Sequence, residues 1–225
     1  MFPLRDSIFY HGASVGTKGL IFLCILIFFV QISTAGQENF IASIYTYGFI
    51  PASFFANPGG EFWRFFTSMF MHGSFSHLFG NMWFLWVFAP ALDGKMGLKR
   101  FFLLYLLSGV GAAMLHGALD PSSSIPMVGA SGAISGVLGA YFILFPRSFI
   151  LTLVFPFFFT VWIPAFFYLG YWAFLQLVYG FLGLPGVAWW AHVGGFLIGL
   201  ILAPKIRPRR KYCADPFWEY WRDYC

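Results

Sequence analysis

A serine in a glycine-rich motif and a distant histidine are the residues of this chain best suited to chemistry. Ser131 lies in the run Gly129-Ala130-Ser131-Gly132, which begins one apolar, helix-length segment, and His192 begins another. A serine hydroxyl becomes a nucleophile when a neighbouring base takes its proton, and an imidazole can be that base. Polar side chains at membrane depth are costly and are usually functional. The pair therefore predicts a hydrolase whose reaction takes place inside a lipid bilayer.

The composition is that of an integral membrane protein. Of the 225 residues, 60% are hydrophobic and only 9% are charged, and the mean hydropathy is +0.76. Soluble domains carry about 25% charged residues. At about 20 residues per span, the chain can hold six spans with short loops and one longer one. The net charge of +5 is distributed beside the apolar segments, which indicates cytoplasmic loops and no nucleic-acid partner.

The apolar segments predict an all-α membrane protein, a bundle of six transmembrane helices with a long, membrane-associated first outer loop at Gln37–Ser74. We divide the chain into a cytoplasmic tail (residues 1–18), a membrane domain (19–204) and a basic, aromatic cytoplasmic tail (205–225). We interpret the apolar run Phe149–Phe158 as an interfacial connection. The six segments are Gly19–Gly36, Ser76–Leu92, Phe101–Leu119, Ser131–Phe145, a stretch within Phe158–Phe181, and Trp190–Ala203.

The distribution of basic residues predicts the orientation. With the N-terminus in the cytoplasm, Arg64 is the only one of the 13 Lys and Arg residues left outside, as the positive-inside rule requires. Both termini are then cytoplasmic, in a multi-pass protein of a bacterial inner membrane. Ser131 and His192 each begin a span from the outer side, so the two residues are expected at similar depth.

Small residues at helical spacing follow both reactive residues. Such small-xxx-small faces allow two helix backbones to approach closely in lipid. Packing of the fourth span on the sixth through these glycines would bring the Ser131 hydroxyl and the His192 imidazole within reach of each other. The alternative is that the glycines serve packing alone. The four glycines are Gly132, Gly136, Gly195 and Gly199.

No acidic residue lies inside a span near the expected catalytic depth, so we predict a Ser–His dyad rather than a triad. Something other than a carboxylate must then hold His192. Backbone N–H groups at Ala130 and Ser131, where the fourth span begins, could stabilise an oxyanion. His77 and Asn81 share one helix face at i, i+4 and could donate as well. Alternatively, these two side chains bind neighbouring helices structurally.

His72, His77 and His192 could converge, and three histidines can form a metal site. No carboxylate or cysteine stands with them, and the chain has no HExxH motif. We therefore predict no metal and no cofactor.

Taken together, these motifs resemble those of the rhomboid intramembrane serine proteases, of the compact six-span bacterial type. The resemblance covers about residues 15–205. The four motifs occur in this order and on these spans, which is far more specific than a lone GxSG. They are Trp63-Arg64, His77-x-x-x-Asn81, Gly129-Ala130-Ser131-Gly132, and Ala191-His192-Val193-Gly194-Gly195 with Gly199.

The resemblance implies that Ser131 attacks a peptide carbonyl, that His192 acts as base and acid, and that His77, Asn81 and backbone N–H groups hold the oxyanion. The expected partners are the lipid bilayer and single-pass transmembrane substrates, cut near the outer face after small residues. Trp63 and Arg64 would anchor the first loop.

The resemblance further implies that the fifth span and the following loop gate substrate entry, with the aromatics of Trp162–Trp172 and Gln176 as candidates. One position departs from some members, which place a tyrosine four residues after the nucleophile, stacked on the histidine. Here that residue is Ser135, so another residue must orient His192.

Two alternatives from other classes remain. One is a catalytically silent rhomboid-like protein that binds client transmembrane helices, although both Ser131 and His192 are present. The other is a small transporter with polar groups at a broken span, which would show inverted repeats that this chain lacks.

Overall fold

A computed structural model of the chain describes residues 1–8, 14–33 and 37–205. These residues form a helical bundle with one small sheet, and a single 3-10 turn, Ala203–Lys205, follows the last helix. The strands are β1 (Phe2–Asp6), β2 (Phe149–Val154) and β3 (Phe159–Pro164). The helices are α1 (Val15–Ser33), α2 (Gln37–Tyr47), α3 (Pro51–Ala56), α4 (Pro58–Glu61), α5 (Arg64–Thr67), α6 (Phe75–Met96), α7 (Leu98–Leu119), α8 (Ser131–Leu144), α9 (Ala165–Phe181) and α10 (Trp189–Leu202).

Each of the six apolar segments overlaps a helix, namely α1, α6, α7, α8, α9 and α10 in chain order. By length and composition, α1 and α7 are long and apolar enough to cross a membrane, while α8 and α9 are apolar but shorter. Six crossings of the bilayer therefore stay a prediction. The C-terminal tail predicted from residue 205 onward lies, after Lys205, outside the described residues.

A three-stranded antiparallel sheet departs from the purely helical prediction. Its order is β1-β2-β3, with Phe2 opposite Leu153 and Leu151 opposite Trp162. The run interpreted as an interfacial connection thus forms β2 and the turn into β3. Its apolar side chains suit a strand with one covered face, because Ile150 and Thr152 are fully buried.

The segment 1–18, predicted to be a cytoplasmic tail, is also structured at both of its ends. It contains β1, and α1 begins at Val15 rather than at residue 19. Trp83 of α6 donates its indole N–H to the Pro3 carbonyl at 2.6 Å. The Tyr141 hydroxyl of α8 donates to the Asp6 carboxylate at 2.9 Å. These bonds tie the N-terminal strand to two helices of the bundle.

Local signals place the start and the end of α6. The Ser74 hydroxyl caps the helix by accepting the His77 backbone N–H at 3.1 Å. Gly97 ends it with a φ of +76°, a conformation that costs glycine nothing because it has no Cβ. The cap places His77 in the first turn of α6 and Asn81 one turn further along the same face.

The segment predicted to be the first outer loop, Gln37–Ser74, contains the four short helices α2 to α5. A cluster of phenylalanines holds it on the bundle: Phe49 stacks on Phe65 with ring centroids 4.7 Å apart, and Phe54 packs edge-on against Phe65. This cluster lies against Ala113 of α7. The apolar composition of the loop is thus explained in part by its own core.

The outer surface of the helices is apolar. Phe22 of α1, Trp86 of α6 and Phe174 of α9 are 67%, 60% and 59% exposed. Large apolar side chains exposed to this degree on several helices suit contact with lipid. Asn81 of α6 and Gln176 of α9 are, by contrast, only 8% and 5% exposed.

Candidate active site

Ser131 is the first residue of α8. The chain reaches it through Gly129, whose φ of +122° favours glycine and whose N–H donates to the Ser68 carbonyl at 2.9 Å. The Ala130 carbonyl accepts from Ile134 N–H at 2.9 Å, which begins the helical ladder. The backbone N–H groups of the residues before Ile134, including that of Ser131, come before the first bond of this ladder and have no partner within the helix. A hydroxyl and free N–H donors therefore coincide at one helix start.

His192 lies in the first turn of α10, and a side chain of α9 holds its ring. His192 Nδ1 is 2.8 Å from Gln176 Oε1. The Gln176 amide nitrogen donates to the Trp172 carbonyl at 2.9 Å, so the amide oxygen is the atom that faces the imidazole. Because an amide oxygen only accepts, this contact favours the tautomer with hydrogen on Nδ1 and a lone pair on Nε2.

Two indole rings flank the imidazole. The centroids of Trp172 and Trp189 each lie 6.0 Å from the centroid of His192, with interplanar angles of 31° and 89°. The ring is therefore bounded on two sides as well as hydrogen-bonded at Nδ1.

The four glycines lie where the backbones of α8 and α10 approach each other. A Cβ at Gly195 would overlap the Gly132 carbonyl oxygen, and a Cβ at Gly199 would overlap that of Gly136. A Cβ at Gly132 would also lie 3.9 Å from the Ala191 carbonyl oxygen. The residue after Ser131 and the residue before His192 are thus neighbours across the helix pair.

His77 and Asn81 of α6 lie against the glycine that precedes the serine. A Cβ at Gly129 would lie 2.6 Å from His77 Nε2 and 3.5 Å from Asn81 Nδ2. Asn81 is 8% exposed, and its amide nitrogen has no hydrogen-bond partner among the described residues. A buried unpartnered donor is costly unless function requires it.

His72, in the loop before α6, is a buried neighbour of His77, with ring centroids 5.3 Å apart. Burial, and secondarily the proximity of His77, lower the pKa of His72 to about 4, so this imidazole is neutral at physiological pH. Its Nδ1 lies 3.2 Å from the Phe70 carbonyl. In the part of the chain that the structure describes, no group of three or more His, Cys, Asp or Glu side chains could hold a metal ion.

Trp63 and Arg64 form their contacts within the segment that precedes α6. The Arg64 guanidinium donates to the Tyr45 carbonyl at 2.6 Å and to the Gly48 carbonyl at 3.1 Å, which links α5 to the end of α2. It also pairs with Glu61 and lies over the Trp63 ring. These contacts hold the loop together internally.

The structure thus gathers the starts of α8 and α10 and one face of α6, but it does not join the two reactive groups. Among the hydrogen bonds of the described residues, none links the Ser131 hydroxyl to His192. Catalytic hydrogen bonds are often long in enzymes without substrate and shorten on binding. The Ser135 hydroxyl, at the position where some rhomboids have tyrosine, donates to the Ser131 carbonyl at 2.7 Å.

From the sequence, Gln176 was predicted only as a candidate for gating substrate entry. Its contact with His192 was not predicted. A signal was present, because Gln176 is the single amide in α9, which carries no charged side chain. Its partner could not be read from the sequence, because that requires the face of α9 that turns toward α10.

The fold and the site define a class: a helical membrane protein with a serine and a histidine at the starts of two closely packed helices. The Rhomboid domain family matches residues 59–209 of the chain. The chain therefore belongs to the rhomboid family and is an integral membrane protein. Members of this family are generally serine intramembrane proteases, and some are inactive.

Similar proteins occur in a bacterium, a plant and a yeast. Rhomboid protease GluP of Bacillus subtilis (strain 168) is 34% identical over 60% of this chain and 25% of its own length. RHOMBOID-like protein 5 of Arabidopsis thaliana is 34% identical over 68% of this chain and 47% of its own. Rhomboid protein 1, mitochondrial, of Saccharomyces cerevisiae is 34% identical over 60% and 39%. The matched part of the chain spans less than half the length of each of these relatives.

The close approach of α8 and α10 leads to a testable prediction. Gly195→Ala should destabilise the protein by about 1–3 kcal/mol or more, because the new methyl group would overlap the backbone carbonyl of Gly132. The measurement is thermal unfolding of the purified protein in mild detergent. Gly80→Ala is the matched control, because a Cβ at Gly80 of α6 meets nothing within 4 Å. Equal unfolding temperatures for the two variants would show that the helices are not in contact there.

Proposed function

We propose that this protein is an intramembrane serine endopeptidase that uses Ser131 as nucleophile and His192 as general base. The observation that carries the proposal is the approach of the two helix starts, at which Gly132 and Ala191 are neighbours. Membership of the rhomboid family supports the same chemistry.

In the proposed reaction, the Ser131 hydroxyl attacks the carbonyl carbon of the scissile peptide bond while its proton passes to His192 Nε2. The tetrahedral intermediate collapses when the imidazolium gives that proton to the leaving amine, which departs as the first product. Water then attacks the ester on Ser131 by the same route. The second product leaves with a carboxyl group and the serine is restored.

The negative charge on the intermediate needs donors, and the site offers several. The N–H groups of Ala130 and Ser131 lie at the positive end of the α8 dipole. The Asn81 amide nitrogen is buried beside Gly129 without a partner, as is expected of a donor held ready for a transient charge. We assign His77, which lies against the same glycine, as a further donor.

We further propose that the substrates are single-pass transmembrane proteins cut near the outer membrane face. Six crossings with both termini in the cytoplasm place Ser131 and His192 toward the outer side, as the distribution of basic residues supports. We assign the protein to a bacterial inner membrane, as the resemblance to the compact six-span bacterial type supports. In this arrangement, Trp63 and Arg64 anchor the outer loop, and α9 borders the path by which a substrate enters.

One observation favours a second candidate, a catalytically silent protein that binds client transmembrane helices. Among the hydrogen bonds of the described residues, none joins Ser131 to His192. The two candidates differ in turnover, so a cleavage assay separates them.

We expect the wild-type protein, reconstituted in phospholipid vesicles, to cut a membrane-anchored reporter protein at a single site. Ser131→Ala should abolish cleavage and His192→Ala should nearly do so, because one lacks the nucleophile and the other the base. The readout is fragment formation on gels and fragment mass. Unfolding temperatures close to wild type would show that both variants are folded. Unchanged turnover in Ser131→Ala would rule out the serine mechanism, and a folded wild type that binds but does not cut would favour the silent protein.

Asn81→Ala should lower kcat by about 100- to 1000-fold with little change in KM, because the amide acts on the charge of the transition state. Steady-state kinetics on the same reporter measure both constants. A purely structural role for Asn81 would instead lower the unfolding temperature and leave kcat per folded molecule unchanged.

A further inference from the structure

We propose that Gln176 is a positioning residue that holds His192 in the tautomer whose Nε2 lone pair is available to Ser131. It would take the place that a carboxylate has in a Ser-His-Asp triad. This inference rests on the proposed function, because it concerns the same histidine.

The Gln176 amide is held at both of its ends. Its nitrogen donates to the Trp172 carbonyl one turn earlier in α9, at 2.9 Å, and its oxygen lies 2.8 Å from His192 Nδ1. Because the first bond occupies the nitrogen, rotation of the amide by 180° would place two N–H donors against the imidazole and break the bond to the helix. The side chain is only 5% exposed, so water does not compete readily for either bond.

The held amide selects one tautomer of a neutral imidazole. An oxygen that can only accept stabilises the form with hydrogen on Nδ1. The other form would bring the Nδ1 lone pair against the amide oxygen and would carry hydrogen on Nε2, where it could not take the serine proton. The amide is neutral, so it orients the ring without supplying the charge that an aspartate brings to the imidazolium.

Other groups around His192 do not fill this role. Ser135 donates to the Ser131 carbonyl. The rings of Trp172 and Trp189 lie beside the imidazole, but among the hydrogen bonds of the described residues none joins either indole to a ring nitrogen of His192. Among the described residues, the titratable groups that act on His192 from the neighbouring helices are His77 of α6 and His116 of α7.

The first test reads the tautomer directly and does not require activity. Full-length protein labelled with ¹⁵N-histidine is studied by NMR in detergent, and the His192 signals are assigned by their loss in His192→Ala. We expect a protonated Nδ1 and an unprotonated Nε2 in the wild type, and a mixture of tautomers in Gln176→Leu. Gln31→Leu is the matched control, because Gln31 is an equally buried glutamine that bonds the His72 backbone instead.

The second test reads the catalytic consequence in the vesicle assay. Gln176→Leu should lower kcat by about 10-fold or more at nearly constant KM, since substitution of a group that orients a catalytic or metal-bound histidine costs about 10- to 10⁴-fold. Gln176→Glu should recover much of this loss, because a carboxyl oxygen can still accept from Nδ1–H. If it is ionised, the acidic limb of the kcat/KM profile should also move to higher pH, because the carboxylate stabilises the imidazolium.

The outcomes separate this inference from the proposed function. Wild-type tautomer and wild-type kcat in Gln176→Leu would overturn the role of Gln176 and leave the serine mechanism standing. A tautomer that changes in Gln176→Leu, in a protein that does not cleave even as wild type, would support the role of Gln176 and reject the protease. Protonated Nε2 in the wild type would overturn the inference at once.

Discussion

The close packing of α8 on α10 is the contact on which the rest of the site depends. Two pairs of glycines, Gly132 with Gly195 and Gly136 with Gly199, allow the backbones to meet without intervening side chains. In lipid, helices gain little from the hydrophobic effect on association, so backbone proximity and van der Waals contact must supply the stability. Because both helices begin at the same end of the bundle, this contact also brings a helix start with free N–H groups beside the residue that carries the imidazole.

The remaining elements act on that helix pair from two sides. From α6, His77 and Asn81 reach Gly129, the residue that turns the chain into α8. From α9, Gln176 reaches His192 Nδ1. The proposed nucleophile and its backbone N–H donors therefore come from α8, the base from α10, the side-chain donors from α6 and the orienting amide from α9. This arrangement suits a site in which an orienting carboxylate would have to be buried at high cost.

Much of the bundle could be predicted from the sequence, because membrane helices and glycine faces are local patterns. The prediction that a helix begins at Ser131 is confirmed by α8, and the other five apolar segments each overlap a helix. The sheet was not predicted, since β1 and β2 are separated by most of the chain and an apolar run such as Phe149–Phe158 does not reveal its conformation. The bond between Gln176 and His192 was missed for a related reason. It depends on how two helices are rotated, which spacing along one helix does not determine.

The most direct test of the central claim is the site at which a fluorophosphonate attaches to the full-length protein, mapped by peptide mass spectrometry in mild detergent. An activated serine is required for this reaction. The proposed mechanism predicts one adduct, on Ser131, that is lost in Ser131→Ala and strongly reduced in folded His192→Ala. An adduct on another residue, or equal labelling of the wild type and both variants, would contradict the assignment of Ser131 as the nucleophile.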